Sequence, residues 1–211
     1  MSATGFWVVG AVPDPEISRI RRVHPDAAAA HGAAPAPSAD LEWWRRQSAS
    51  EVFFEEGPHC PAPTGAARRF ADLVDAARSD SAAAEDMRDD LLRLVPQREG
   101  EGLFCAAARK GDPAAALAWA LGPASAQHLP GRFGDFLLDA AQVQAVLPEA
   151  RQALALEPAR RAEVTARVGL WLDGMGDDAG HDAGKLIDGP LEVLRHAART
   201  GSGAVGMALW Y

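Results

Sequence analysis

The densest set of potential metal ligands lies in the segment WLDGMGDDAGHDAG, which holds Asp173, Asp177, Asp178, His181 and Asp182. Carboxylate oxygens with one imidazole suit a divalent cation, and the interleaved glycines let a loop wrap around an ion. Such a loop would serve a metal-assisted hydrolase or related enzyme. Its spacing differs from an EF-hand loop and from the helical zinc motif H-E-x-x-H. A solvated acidic connection after a helix end is the simpler account of the same residues. A divalent metal is the one cofactor this segment suggests, and no other cofactor is expected.

A second constellation is Gly131-Arg132-Phe133-Gly134-Asp135, with His128 just upstream. Arg132 and Asp135 on a glycine-rich turn can orient a polar ligand, form a local ion pair, or shape the approach to the next helix. Trp43, Trp44 and Trp119 can supply the apolar area of a binding cleft, although core packing is the default for such side chains. Glu55, Glu56, His59 and Cys60 precede a proline-rich bend. Adjacency of cysteine and histidine in sequence is poor evidence for a nucleophile and its base, which normally meet across a fold. Cys105, beside Phe104, reads as core. Neither GxxxxGK[ST], GxGxxG in a strand-to-helix setting, nor GxSxG occurs.

The elements that must position these residues are predicted from pattern and punctuation. Residues 5–12 (GFWVVGAV) read as a buried opening strand, closed by Pro13 and Pro15. A short helix over 16–23 follows, then a Pro/Ala-rich surface excursion around 26–40. Residues 51–56 fit a short strand or a helical turn, and the prolines at 58, 61 and 63 argue against regular structure there. Thr64 caps a helix with Ala67, Phe70, Ala71, Val74 and Ala77 on one face. A helix over 82–94 buries Met87, Leu91 and Leu94. Asp112 and Pro113 start another, and Asp139 caps the next. A long helix over 158–172 stops at Gly174. The last helix spans 189–198 with Pro190 in its first turn, and 204–211 (AVGMALWY) forms a second buried strand. The fold class expected is α+β: a single domain over 1–211, with a small, mainly antiparallel or mixed sheet containing both terminal strands and packed against several helices.

Charge and composition narrow the partners. The net charge is -8, with 29 acidic against 21 basic residues, and Lys110 and Lys185 are the only lysines. That balance disfavours a broad nucleic-acid footprint. The pairs Arg21–Arg22, Arg45–Arg46 and Arg68–Arg69 read as solvated faces. No apolar run reaches the roughly 18–20 residues of a membrane span, and the opening residues lack a basic leader, so a cytoplasmic protein is expected. Two cysteines make neither a disulfide scaffold nor a CxxC redox pair.

Three segments carry a family likeness: residues 5–12, FGDFLLDAAQVQAVLPEA at 133–150, and PLEVLRHAARTGSGAVGMALW at 190–210. Together they resemble the uncharacterised bacterial family typified by YfbM. There, an N-terminal strand precedes helices, and a glycine- or tyrosine-rich turn leads through a Leu-Thr-Pro helix start to a final helix and hydrophobic strand. Leu138, Asp139 and Ala140 occupy that helix start, so its proline is missing, and the family's central Leu-His-hydrophobic-Leu-Thr-Gly segment is not evident. The resemblance implies a compact α+β fold and a cytoplasmic location, and it transfers no reaction or catalytic residue. The sequence thus assigns no chemistry. The leading expectation is a soluble protein binding a small ligand or a protein partner in a cleft, with dimerisation through an apolar helical face. The alternative is a metal-dependent hydrolase or related enzyme using the acidic loop at 173–182.

Overall fold

The computed structural model describes residues 4–33, 37–58, 60–78, 81–98, 100, 102–177 and 182–210. In chain order the elements are β1 (Gly5–Val12), α1 (Asp14–Val23), α2 (Pro25–Ala30), α3 (Ala39–Arg46), the two-residue strands β2 (Phe54–Glu55) and β3 (Ala62–Pro63), α4 (Gly65–Asp75) and α5 (Ala82–Leu94). There follow β4 (Leu103–Ala108), α6 (Pro113–Leu121), α7 (Pro123–Ala126), β5 (Phe136–Leu138), α8 (Ala140–Leu154), α9 (Pro158–Met175), α10 (Ala183–Thr200) and β6 (Gly203–Trp210). Four strands form one antiparallel sheet in the order β4-β1-β6-β5. The two expected apolar strands are its centre, in register from Gly5 opposite Trp210 to Val12 opposite Gly203.

Helices cover both faces of this sheet, which is why its middle strands are apolar without alternation. Trp7, Val9 and Ala11 face a large helical layer, whereas Val8 and Val12 face a smaller one containing Ile17, Ile20, Met87 and Leu91. The larger layer is built on α6, every residue of which is buried. Its alanines allow close approach, and α9 packs along it. Asp112 starts α6 as expected, its carboxylate accepting the N–H groups of Ala114 at 2.9 Å and Ala115 at 3.0 Å. Asp139 starts α8 with a reciprocal cap involving Gln142. Arg21 donates to the Asp139 carboxylate at 2.8 Å and thereby ties α1 to the start of α8. That bond, with the Gln142 N–H, holds the Asp139 carboxyl below its ordinary range.

Several boundaries differ from the pattern reading. Pro63 lies in β3, where it pairs opposite Phe54, so the proline-rich bend does contain a short two-stranded ribbon. Helix α9 runs past Gly174 and ends at Gly176, which takes the left-handed conformation with φ 87°. Gly174 instead makes room for the Phe54 ring, whose Cδ1 would lie 2.3 Å from an added Cβ. Helix α10 begins at Ala183 rather than near Gly189, so Pro190 sits inside it. In α4 the buried face is Ala67, Phe70, Leu73 and Val74, and Leu94 of α5 is only half-buried. Among the described residues no helix is long and apolar enough to cross a membrane.

Gly189 shows how tightly helix and sheet meet: a Cβ there would fall 2.0 Å from Cδ2 of Phe104. An alanine would favour the helix by about 1 kcal/mol on propensity alone. Overpacking against the ring costs more, so Gly189→Ala is expected to destabilise the protein by about 1–3 kcal/mol, seen as a lower urea midpoint. An unchanged midpoint would mean that Phe104 can swing aside.

Candidate ligand-binding site

The glycine-rich turn lies over the β5–β6 edge of the sheet, and backbone demand explains its position. Strand β5 pairs with β6 only from Ala204 to Gly206. Beyond that point two side chains take over the ladder. Asp135 accepts the Ala208 N–H at 2.8 Å, and His31 Nε2 donates to the Gly206 carbonyl at 2.8 Å. The turn is closed by reciprocal backbone bonds of 2.9 Å between Arg132 and Asp135, and Trp7 Nε1 donates to the Gly134 carbonyl at 3.1 Å.

This closure bends the backbone sharply. Gly131 and Gly134 have φ of 67° and 97°, and Phe133, at 42°, is the one non-glycine with positive φ among the described residues. A left-handed conformation at a bulky residue costs roughly 1–2 kcal/mol. The strain is held by the Phe133 ring, packed edge-on against Phe70 at 5.6 Å, and by Arg78 Nη2, which donates to the Phe133 carbonyl at 3.3 Å.

Arg78 is the cation of a buried charge cluster beneath the turn. It pairs with the Asp112 carboxylate, and Asp135 lies close enough to act on it. Burial works against the guanidinium charge, yet Asp112 and Asp135 together hold Arg78 above its ordinary pKa. Asp135, 6% exposed, goes the other way. Its burial pushes the carboxyl above the ordinary range, against the pull of His31, Arg78 and the Ala208 N–H.

A cavity of about 220 Å³, partly open to solvent, lies beside this turn on the side of the larger helical layer. Trp7, Leu41, Trp44, Phe133, Phe136 and Leu194 supply much of its apolar wall, and Arg45 and Arg132 also line it. Several chain segments therefore converge: the Leu41/Trp44/Arg45 face of α3, the 129–134 turn, and the buried faces of β1, β5, α6 and α10. Arg132 Nη2 reaches the Ala76 carbonyl at 3.4 Å, while its Nε is buried without a hydrogen-bond partner. Burial lowers the Arg132 pKa, with Asp135 opposing.

The structure thus brings Trp44 and Arg132 together. Trp43 is stacked against Phe53, with Arg69 over its ring at 4.4 Å. Trp119 sits in an aromatic cluster with Phe53, Phe54 and Trp171, away from the cavity wall. His128 faces Glu149 at 3.6 Å, and Asp135 is turned into the core. Wall residues that the sequence did not flag include Trp7, Leu41, Arg45 and Phe136; only the i, i+3, i+4 spacing of Leu41, Trp44 and Arg45 on α3 hinted at a shared face.

The acidic segment is placed differently. Asp177 closes the loop between β4 and α6, accepting the backbone N–H groups of Arg109, of Lys110 at 2.9 Å and of Gly111 at 2.7 Å. This is a nest of amides whose anion is a side chain of the same protein. Asp182 caps α10 through the Lys185 N–H at 2.9 Å, and Asp173 is exposed on α9. Asp178 and His181 lie outside the described residues, as does His59. Among the described residues no group of three or more His, Cys, Asp or Glu side chains is arranged to hold a metal ion. Cys60 is exposed, and Cys105 is half-buried on β4.

What fold and cavity define is an α+β domain, a helix-covered antiparallel sheet with an apolar pocket beside its edge. No family model, curated protein or solved structure matches the chain. The segments behind the YfbM likeness form β1, the turn with β5 and α8, and α10 with β6.

Two outcomes follow from these placements. The native state binds the Asp135 proton more readily than the unfolded chain, so the stability due to this group is full below the ordinary carboxylate range and is lost as pH rises from that range through the raised native pKa. Wild-type stability measured relative to Asp135→Asn is therefore expected to increase on acidification. A difference that instead grows with pH would show that Arg78 holds the carboxylate charged. Asp177→Asn should cost about 1–2 kcal/mol and speed amide hydrogen exchange at residues 109–111; unchanged exchange would refute the loop-closing role.

Proposed function

We propose that this protein binds a small, largely apolar molecule in the cavity beside the glycine-rich turn, and that its activity is recognition rather than a reaction. The observation that carries this reading is the strained left-handed Phe133, whose ring forms part of an aromatic wall with Trp7, Trp44 and Phe136. Backbone strain at a bulky residue persists only where surrounding contacts enforce it, and such residues concentrate at ligand sites. An apolar concavity with a few polar groups at its margin is the usual form of a small-molecule site. Two arginines supply those groups here. A cytoplasmic setting belongs to the same proposal.

Ligand linkage provides the test. A molecule present at about 100 times its Kd stabilises the native state by about 2.7 kcal/mol, which raises the Tm of a chain this size by roughly 5–10 °C. A panel of small aromatic and aliphatic compounds should include members that do this and shift the emission of the wall tryptophans. Ala126 also lines the cavity, so Ala126→Phe should fill the space and abolish the stabilisation while leaving the ligand-free protein folded. A panel without effect, or binding undiminished in the filled variant, would overturn the reading.

A further inference from the structure

We propose that the ligand is a monocarboxylate with a compact apolar body, its head group held by Arg45 and Arg132. The inference rests on the small-ligand reading above and adds the chemical class.

Charge distribution is the first argument. The chain carries 29 acidic residues against 21 basic ones, yet the charged groups in the cavity wall are Arg45 and Arg132, with no aspartate or glutamate among the described residues lining it. Acids are kept off this one concavity in a protein of net charge -8. Arg45 is exposed on α3, one turn beyond Leu41, and it is the neighbouring Arg46 that pairs with Glu42. The Arg132 side chain is held by one long bond from Nη2 to the Ala76 carbonyl, at 3.4 Å; its unpartnered Nε is shut off from solvent, so an incoming anion meets the Nη end of the guanidinium. Asp135, the nearest acid in sequence, bonds the Ala208 N–H and offsets the burial of Arg132 only in part. Burial lowers the Arg132 pKa, so an arriving anion would relieve an existing electrostatic cost.

Geometry and size select the head group and body. The planar guanidinium fork matches the two oxygens of a carboxylate. A second anionic group would lie against Trp7, Trp44, Phe133 and Phe136 without a partner, and burying an unpaired charge is costly. The volume of about 220 Å³ exceeds the roughly 150 Å³ that accommodates benzene. A phenyl ring or short alkyl chain with its carboxylate therefore fits, and a long acyl chain does not.

The experiment compares phenylacetate with its neutral isostere phenylacetamide by isothermal titration, in the wild-type protein, Arg45→Gln and Arg132→Gln. Phenylsuccinate serves as the doubly charged arm. Wild-type protein is expected to favour phenylacetate over phenylacetamide by about tenfold or more, the scale of a charge-assisted hydrogen bond. Each variant should lose most of that preference, chiefly through weaker phenylacetate binding, and an unchanged urea midpoint shows that the protein remains folded. If Arg132→Gln loses amide binding as well, the exposed Arg45→Gln variant decides the question. Equal binding of acid and amide by the wild type would overturn the carboxylate assignment and leave the small-ligand reading standing. Equally tight phenylsuccinate binding would overturn the single charge. Binding of none of the three would overturn this inference, and the broader compound panel then decides whether the small-ligand reading falls with it.

Discussion

Backbone hydrogen-bonding demand along β6 is the constraint from which the site derives. One edge of this strand is satisfied by β1 along its whole length, the other by β5 at only three residues. Past Gly206 the ladder has no further strand, and buried amides and carbonyls cannot go unpaired without cost. His31 and Asp135 fill the gap, which brings the end of α2 and the glycine-rich turn onto the sheet edge. Burying Asp135 raises its affinity for a proton, and His31 and Arg78, the latter paired with Asp112, offset that cost only in part. Removing the cation alone from such a cluster typically costs 3–5 kcal/mol. The turn, its strained Phe133 and the cavity wall are thus consequences of completing one strand's edge with side chains.

Much of the fold was legible because its signals are local. β1 and β6 show as continuous apolar runs, and the boundaries of α5 coincide with the pattern reading. Asp112, Asp139 and Thr64 each cap the helix they precede. The failures arose where tertiary packing chose between equal local signals. Gly174 and Gly176 are both plausible helix stops, and only the Phe54 ring lying over Gly174 separates a packing glycine from a terminal one. Pro190 resembles a helix start, but Asp182 had already capped α10, and Gly189 and Pro190 are carried through the middle of the helix against the sheet. β5 is too short to show a period.

The site was less legible for the same reason in sharper form. Arg132 and Trp44 stood out by residue type and local context. Trp7 looks like any strand tryptophan until its indole is seen bonded to Gly134 and facing the cavity. Trp43 and Trp119 look equally ligand-like, yet they are spent on the aromatic cluster around Phe53. Neighbours in sequence, Trp43 and Trp44 point to different environments because a helix separates adjacent side chains by about 100°. The acidic segment misleads in the opposite direction: Asp177 is bound by three amides of a loop that precedes it by more than sixty residues.

The central pairing also governs the order of assembly. About 190 residues separate β1 from β6, so at 5–20 residues per second of synthesis β1 emerges roughly 10–40 s before its principal partner exists. During that interval β4 is its first available mate, leaving the other edge of an apolar strand uncovered. Closing so long a loop places this contact late and makes the molecule a slow folder for its helix content. Until β6 emerges, the nascent chain therefore exposes an apolar strand edge of the kind that makes folding intermediates prone to aggregate.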